Sequence, residues 1–435
     1  MNDAVRSERP PHEVADVIRS HGEAFLQKYG SHLRTEQKAA LRALALCRTA
    51  ALGGHVMRCL DCGHERIAYN SCRNRHCPKC QALSRAQWLE REAKLLLPVE
   101  YHHVVFTLPQ EVAELVTSAP TSDNAKVVYN LLFQAASATL REVAANPKRL
   151  GAQIGVLAVL HTWGQNLHHH PHLHCVVTGG GLSCDERGRV DATPQWRSCR
   201  PGFFLPVRVL SRVFRAKFRD ALRQAFAQGA LTFAGRRAPL AEAAAFASWL
   251  TPLCHKDWVV YAKPPFGGPA QVLKYLARYT HRVAISNARL VAVGETVVFR
   301  AKDYADGGKS KVVRLSAEEF LRRFSQHLLP KGFVKIRHYG LLANHGRSER
   351  LHVCRRLLLP ALLLTAAMLM PAPQDAIAPA LPPTCPQCGG VRLECRELPK
   401  CRATAMAAPA AEASSASPDS TSPGGREVIV ASDTS

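Results

Sequence analysis

Two histidines that are two positions apart, His172 and His174, lie in the segment HHHPHLHCVVTGGG. In a β-strand, residues i and i+2 point to the same face, so both imidazoles project side by side while Leu173 points to the core. Two imidazoles on one face can share a metal ion. The motif alone is weak because the chain contains 20 histidines. A histidine cluster that binds nothing is therefore the alternative interpretation.

A metal site of this kind needs a third ligand. Gln165 is the first candidate, and His161 and His168 are its rivals. Imidazole suits zinc and the late transition metals, whereas phosphate chemistry usually employs Mg²⁺ or Mn²⁺ with oxygen ligands. Mg²⁺ or Mn²⁺ that keeps some of its waters satisfies both requirements, so we predict one of these two ions as the catalytic cofactor.

Two tyrosines, Tyr275 and Tyr279, lie at positions i and i+4 of the segment KYLARYTHR. On a helix they share one face. A phenol with a pKa of about 10 is a poor nucleophile unless nearby cations and a polarised phosphate assist it. Such cations are supplied by Lys274, Arg278, His281 and Arg282, of which the lysine and the two arginines are also candidate DNA contacts. Taken alone, an aromatic pair at this spacing more often packs in a core.

Two CxxC motifs, Cys59 with Cys62 and Cys77 with Cys80, predict one structural zinc ion with four thiolate ligands. Other potential ligands of the same segment leave alternative ligand sets or a second ion site open: they are His64, Cys72 and His76. Further cysteines near the C-terminus leave a second zinc site equally open: they are Cys385, Cys388, Cys395 and Cys401.

The chain is strongly basic, with 57 Lys and Arg against 34 Asp and Glu among its 435 residues. This surplus favours a polyanionic partner, of which nucleic acid is the first. Arg73, Arg75 and Lys79 interleave the zinc ligands and are candidate DNA contacts. The first residues contain no apolar signal segment, so the 15 cysteines indicate metal binding rather than disulfides. The longest apolar run is too short to cross a membrane, and we expect no membrane partner and a cytoplasmic, nucleoid-associated bacterial protein.

The local patterns predict the elements that must position these residues. Helices are predicted at 13–50, 82–97, 111–144, 206–228 and 271–282. Strands are predicted at 101–109, 151–163, 172–181 and 257–262, a hairpin at 289–301, and loops at 55–81 and 263–269. The strands 151–163 and 172–181 are expected to be antiparallel neighbours.

Several segments together resemble the rolling-circle insertion-sequence transposases of the HUH class, in particular the two-tyrosine group. The resemblance covers about residues 20–355. It rests on the segments YNSCRNRHCPKCQ (69–81), HVVFTLP (103–109), HTWGQNLHHHPHLHCVVTGGG (161–181), KYLARYTHRVAISNARL (274–290) and IRHYGLLAN (336–344).

The resemblance implies an α+β fold, in which helices flank an antiparallel sheet that is related to the ferredoxin-like fold. An N-terminal zinc-binding domain precedes this part of the chain. It implies His172 and His174 as the metal pair and Tyr275 and Tyr279 as the nucleophiles, with Gln165 as a weaker match to the third ligand. The implied reaction is cleavage and rejoining of single-stranded DNA at element termini through 5′-phosphotyrosine links. We expect a zinc-binding domain at residues 1–98 and a transposase domain at 99–355. A linker with a possible zinc knuckle is expected at 356–402, and a disordered tail at 403–435.

Three alternatives stay open at this point. A rolling-circle replication initiator would use the same chemistry, and a zinc-dependent DNA-binding protein would use none of it. A zinc hydrolase is the third alternative, although the chain has no HExxH motif. The oligomeric state is not predicted.

Overall fold

The structure is a computed structural model. It describes residues 10–266, 268–269, 271–272, 275, 284–303, 307–366 and 384–401. Within these residues, helices surround three antiparallel sheets, which confirms the predicted α+β class.

The described helices are α1 (Val14–Tyr29), α2 (Thr35–Ala45), α3 (Ala82–Ala93), α4 (Gln110–Ser118), α5 (Asn124–Ala145), α6 (Val207–Ala227), α7 (Ala243–His255), α8 (Ala317–Gln326) and α9 (Arg347–Ala366). The described strands are β1 (Gly54–Cys59), β2 (Glu65–Tyr69), β3 (Tyr101–Thr107), β4 (Ala152–Trp163), β5 (His169–Ser183), β6 (Trp196–Ser198), β7 (Val260–Phe266), β8 (Leu290–Ala292), β9 (Thr296–Asp303), β10 (Lys309–Ser316), β11 (Ile336–Gly340) and β12 (Leu393–Leu398).

The largest sheet has the strand order β11-β4-β5-β3-β7, and β6 pairs with β5 outside this path. The long strands β4 and β5 are antiparallel neighbours, as the sequence predicts. Strand β5 lies between β4 and β3, so any side chain on it has neighbours from both sides. The His172–His174 pair therefore lies in the interior of the sheet, not at an edge.

Each face of this sheet is covered by other parts of the chain. On one face, Leu173 and Cys175 are buried in a core that includes residues of α5 and α6. On the other face, Val159 and Val176 pack with Leu351 of α9. The alternation of the strand thus buries Leu173 and turns its two histidine neighbours to the opposite face.

The N-terminal helices form a separate core with the β8–β10 sheet and α8. Val14, Ile18 and Phe25 lie on one side of α1 at helical spacing, and all three are buried. Their core includes Phe320 and Phe324 of α8. The hairpin expected at 289–301 is confirmed by the antiparallel pairing of β8 with β9.

The cysteine-rich segment 55–81 is more ordered than the predicted loop. It begins with β1 and β2, which pair with each other, and β12 from the far end of the chain pairs with β1 along six positions. Every residue of β2 is exposed. Because neither face of this strand is buried, no alternation of apolar and polar residues marks it in the sequence. Because the partner strand is remote in sequence, a local pattern cannot reveal this sheet.

Two other boundaries differ from the prediction. Strand β7 continues to Phe266, through Pro264 and Pro265, where a loop was expected. Proline is tolerated because β7 is the edge strand of its sheet. Helix α9 extends to Ala366, into the segment expected to be a linker. In the described part of the chain, no helix is both long and apolar enough to cross a membrane.

Candidate active site

Three histidines come together on one face of the central sheet. His172 and His174 belong to β5, and His161 of β4 pairs directly with His172. One ring nitrogen from each of the three lies within 4.8 Å of the others. The strand geometry that the sequence predicts for the pair thus extends to a third imidazole from the neighbouring strand.

The hydrogen bonds orient two of these rings for metal binding. Nδ1 of His172 lies 2.7 Å from the carbonyl oxygen of His170 and donates to it, which leaves Nε2 as the free ligand atom. Nε2 of His172 lies 3.1 Å from Nε2 of His174. Two nitrogens that bind one ion at about 2.1 Å and at a right angle are about 3 Å apart. The donor set and its spacing therefore fit a divalent metal ion.

Burial keeps the imidazoles of His172 and His174 neutral at physiological pH. It lowers the pKa of His172 to about 4 and holds the pKa of His174 well below its usual value. Neighbouring histidines lower the pKa of His174 further. A metal ligand must be deprotonated, so burial prepares both rings for a cation.

The phenol of Tyr275 points at the same cluster. Its oxygen lies 2.9 Å from Nδ1 of His174 and 2.8 Å from Nε2 of His103. In His174, Nε2 therefore faces His172 and the other ring nitrogen, Nδ1, faces the tyrosine. Tyr279, the second predicted nucleophile, lies outside the described residues, as do Lys274, Arg278 and Arg282.

His103 of β3 was not predicted as a site residue. It is buried, it stacks on His174 with ring centroids 5.1 Å apart, and burial lowers its pKa to about 3. Since Val105 pairs with His174, His103 lies diagonally across from it on the same face. The alternation of the YHHVVFT segment could have revealed its face, but not that β3 is the neighbour of β5.

The three candidates for the third metal ligand lie in different places in the structure. His161, a rival of Gln165 in the sequence, belongs to the cluster. Gln165 lies on the turn between β4 and β5, where its backbone carbonyl accepts a hydrogen bond from Arg289. His168 is exposed on the same turn beside Asn166. His161 is therefore the candidate whose ring nitrogen lies in the cluster, and Gln165 stays a prediction.

The predicted grouping of the cysteines is wrong. Cys59 and Cys62 do not share a cluster with Cys77 and Cys80. The structure divides them between two tetrads, which are Cys47, Cys72, Cys77 and Cys80, and Cys59, Cys62, Cys385 and Cys388. Two CxxC motifs close in sequence therefore serve different sites, because each finds its partners elsewhere in the fold.

The first tetrad fits a structural zinc ion. Sγ of Cys72 lies 3.8 Å from Sγ of Cys80, and tetrahedral zinc with bonds of about 2.3 Å places its sulfurs about 3.8 Å apart. Cys47 and Cys77 are buried next to the core of α1 and α2. No sequence pattern indicates Cys47, which lies just after α2 and belongs to no CxxC motif.

The three cations predicted to contact DNA differ in their surroundings. Arg75 donates to the carbonyl of Pro330 at 2.6 Å and to that of Phe333, so it ties the cysteine loop to the segment after α8. Lys79 forms an ion pair with Glu13 at 2.7 Å. Arg73 is exposed. Of these three, Arg73 is the residue best placed to contact a partner.

Comparisons with known proteins agree with this division of the chain. Residues 17–108 match a family model described as "Transposase zinc-binding domain", and residues 155–350 match one described as "Putative transposase". The chain is 54% identical over 368 residues to "Putative transposase y4qJ" of Sinorhizobium fredii, covering 84% of this chain and 87% of that protein. It is 28% identical over 328 residues to "Transposase for insertion sequence element IS801" of Pseudomonas savastanoi pv. phaseolicola, covering 74% and 73%. No solved structure matches the chain.

Proposed function

Because the chain belongs to the transposase family of these relatives and has an IS91-type transposase zinc-binding domain, we propose that it transfers single-stranded DNA by tyrosine chemistry. One observation carries the proposal. The phenol oxygen of Tyr275 lies 2.9 Å from a ring of the three-histidine cluster. A nucleophile is thus within reach of the position where a metal-bound phosphate would lie.

The proposed cleavage step balances without any further reagent. The Tyr275 oxygen attacks the phosphorus of a DNA phosphodiester and forms a 5′-phosphotyrosine link. The bond from phosphorus to the 3′ oxygen breaks, and the phenolic proton ends on that oxygen, which leaves as a 3′-hydroxyl. Rejoining is the reverse attack, by a 3′-hydroxyl on the phosphotyrosine, and it restores the phenol.

The histidines have distinct roles in this proposal. His161, His172 and His174 would hold Mg²⁺ or Mn²⁺, which supplies positive charge to the scissile phosphate. His174 presents its second nitrogen to Tyr275 and so fixes the phenol oxygen relative to the ligand cluster. His103 contacts the phenol from the adjacent strand. Two contacts on one phenol oxygen restrict its position, which favours in-line attack.

We propose Tyr279 as a second nucleophile from its sequence spacing alone, because residues i and i+4 of a predicted helix share one face. Two phenols permit two successive strand transfers, each holding one DNA end. We also propose Lys274, Arg278 and Arg282 as contacts to the DNA backbone on their sequence positions alone, together with Arg73 from the zinc-binding domain. The DNA substrate of this reaction is the terminus of a mobile element.

The test is the formation of a denaturant-resistant protein–DNA adduct. Purified protein is incubated with Mn²⁺ and single strands from the regions that flank its own gene. The expected adduct requires the metal, is lost in His172→Ala and disappears in the double variant Tyr275→Phe/Tyr279→Phe, while the single variants show which phenol acts first. Tyr69→Phe, in the zinc-binding domain, is the control and should react like the wild type. Tight DNA binding without any adduct would instead indicate a non-catalytic DNA-binding protein.

A further inference from the structure

Two short loops at opposite ends of the chain have the same conformation, CLDCGH at 59–64 and CPQCGG at 385–390. In each, the N–H of the first cysteine donates to the carbonyl five positions later, at 2.9 and 2.8 Å. In each, the glycine after the second cysteine donates to the carbonyl of the first, at 2.9 Å. These glycines, Gly63 and Gly389, have φ of 74° and 75°, a conformation that favours glycine. Both loops are therefore turns that present two thiols in one direction.

The two loops face each other and bring their four sulfurs together. Sγ of Cys59 lies 3.6 Å from Sγ of Cys388, and Sγ of Cys62 lies 3.7 Å from Sγ of Cys385. All four lie within 4.8 Å of one another. A tetrahedral zinc ion with four thiolates requires sulfurs about 3.8 Å apart, whereas a disulfide requires about 2.05 Å. The spacing is that of a zinc site.

We propose that Cys59, Cys62, Cys385 and Cys388 bind a second structural zinc ion, separate from the ion of the Cys47 tetrad. This ion joins residues 384–401 to the zinc-binding region at the N-terminal end of the chain. We call the resulting unit the zinc clasp: the two CxxC loops with strands β1, β2 and β12. Four thiolates fill the coordination sphere, so the clasp ion organises structure and performs no chemistry.

Contacts that involve no metal hold the two loops in this arrangement. Strand β12 pairs with β1 from Gly54–Leu398 to Cys59–Leu393. The N–H of Leu60 donates to the carbonyl of Arg392 at 2.9 Å, and the guanidinium of Arg392 pairs with Asp61 at 2.6 Å. The sheet therefore delivers the distant loop in register, and the ion binds to a nearly formed site.

The clasp also has consequences for the chain as a whole. Cys62 and Cys385 are 323 positions apart, so the ion closes a loop that contains the whole central sheet. The same C-terminal segment contains Cys395 and Cys401, both exposed and both outside the tetrads found in the described residues. These two cysteines provide a matched control within the same segment.

The first experiment is the metal content of the full-length protein. We expect about two tightly bound zinc ions per chain in the wild type and about one in Cys385→Ser/Cys388→Ser. The control Cys395→Ser/Cys401→Ser should keep the wild-type content. A Cys385→Ser/Cys388→Ser protein with unchanged zinc content would overturn the proposal, as would a wild type with a single ion. Because the readout is metal content, it is independent of DNA cleavage.

A second experiment needs no variant and so covers the case of a variant that does not fold. The wild type is treated with iodoacetamide, and each cysteine is followed by mass spectrometry before and after a strong chelator. Cys388, Cys395 and Cys401 are all exposed, so burial alone predicts equal alkylation. Zinc ligation predicts that Cys388 is protected until the chelator is added, while Cys395 and Cys401 react from the start. Equal alkylation of the three before chelation would contradict the clasp.

Discussion

At the scale of single residues, His174 is the centre of the candidate site because both of its ring nitrogens are engaged. Nε2 faces His172, and Nδ1 faces His103 and Tyr275. A metal ion held by Nε2 would therefore be connected to the phenol through one rigid five-membered ring. Under the proposed function, this connection would fix the phenol oxygen relative to the ion with few rotatable bonds, which is the kind of preorganisation that catalysis requires.

The choice between His161 and Gln165 as the third ligand leads to a direct prediction. His161→Ala should weaken Mn²⁺ binding strongly because it removes one of the three clustered imidazoles. Gln165→Ala should weaken Mn²⁺ binding less, since all three clustered imidazoles remain in that variant. Calorimetric titration of the DNA-free protein measures both. The reverse ranking would return Gln165 to the ligand set.

A second prediction concerns His103, which contacts the phenol but does not belong to the metal cluster. His103→Phe keeps a flat ring but removes the hydrogen bond to Tyr275, so the adduct should form about 10–100-fold more slowly. Mn²⁺ affinity should stay near the wild-type value, and His103→Asn should recover part of the rate. A purely structural role would lower the thermal midpoint and the amount of active protein, without a selective loss of rate. Parallel measurement of rate, affinity and unfolding separates the two cases.

At the scale of secondary-structure elements, the sequence predicts what depends on neighbours along the chain. The β4–β5 pair, strand β3, the hairpin at 289–301 and helix α6 all follow from apolar periodicity and turn residues. The projection of His172 and His174 from one face also follows from the strand period alone.

Contacts between remote elements could not be predicted in the same way. The pairing of β12 with β1, the approach of His103 to His174 and the division of the cysteines into two tetrads depend on how distant segments fold together. Spacing rules assume that a CxxC motif pairs with the nearest CxxC motif. Here the relevant partner of Cys62 is 323 positions away, and a separate cysteine, Cys47, completes the other tetrad.

The alternation of β5 places Leu173 between the two clustered histidines in sequence, with its side chain on the opposite face of the sheet. Its side chain is fully buried in the core on the other face of the sheet. Leu173→Ala should lower the free energy of unfolding by about 2–5 kcal/mol, through lost burial and the cavity left behind. The control Val312→Ala removes a side chain that is 49% exposed on β10 and should stay within about 0.5 kcal/mol of the wild type. Denaturant unfolding measures both, and equal effects would contradict the assigned orientation of β5.

At the scale of the whole molecule, some of the positively charged side chains are engaged in contacts within the protein. The formal net charge is +23, yet several basic side chains near the cysteine loops are engaged within the protein. Arg75 holds carbonyl groups of the segment after α8, and Lys79 pairs with Glu13. Overall charge therefore predicts an anionic partner, whereas the contacts of each side chain determine which cations can reach it.

Salt dependence provides the last prediction. The affinity for single-stranded DNA should fall linearly on logarithmic axes as salt rises, since each neutralised phosphate releases counterions. Arg73→Gln removes an exposed cation and should reduce the magnitude of that slope by about 0.7–1. Lys79→Gln removes a cation that is already paired with Glu13 and should leave the slope unchanged. Fluorescence anisotropy at several KCl concentrations, with Tyr275→Phe as the background to prevent cleavage, measures all three slopes. If Lys79→Gln changed the slope as much as Arg73→Gln, the Glu13 pair would have to open on DNA, and the cysteine loop would contact the strand through both cations.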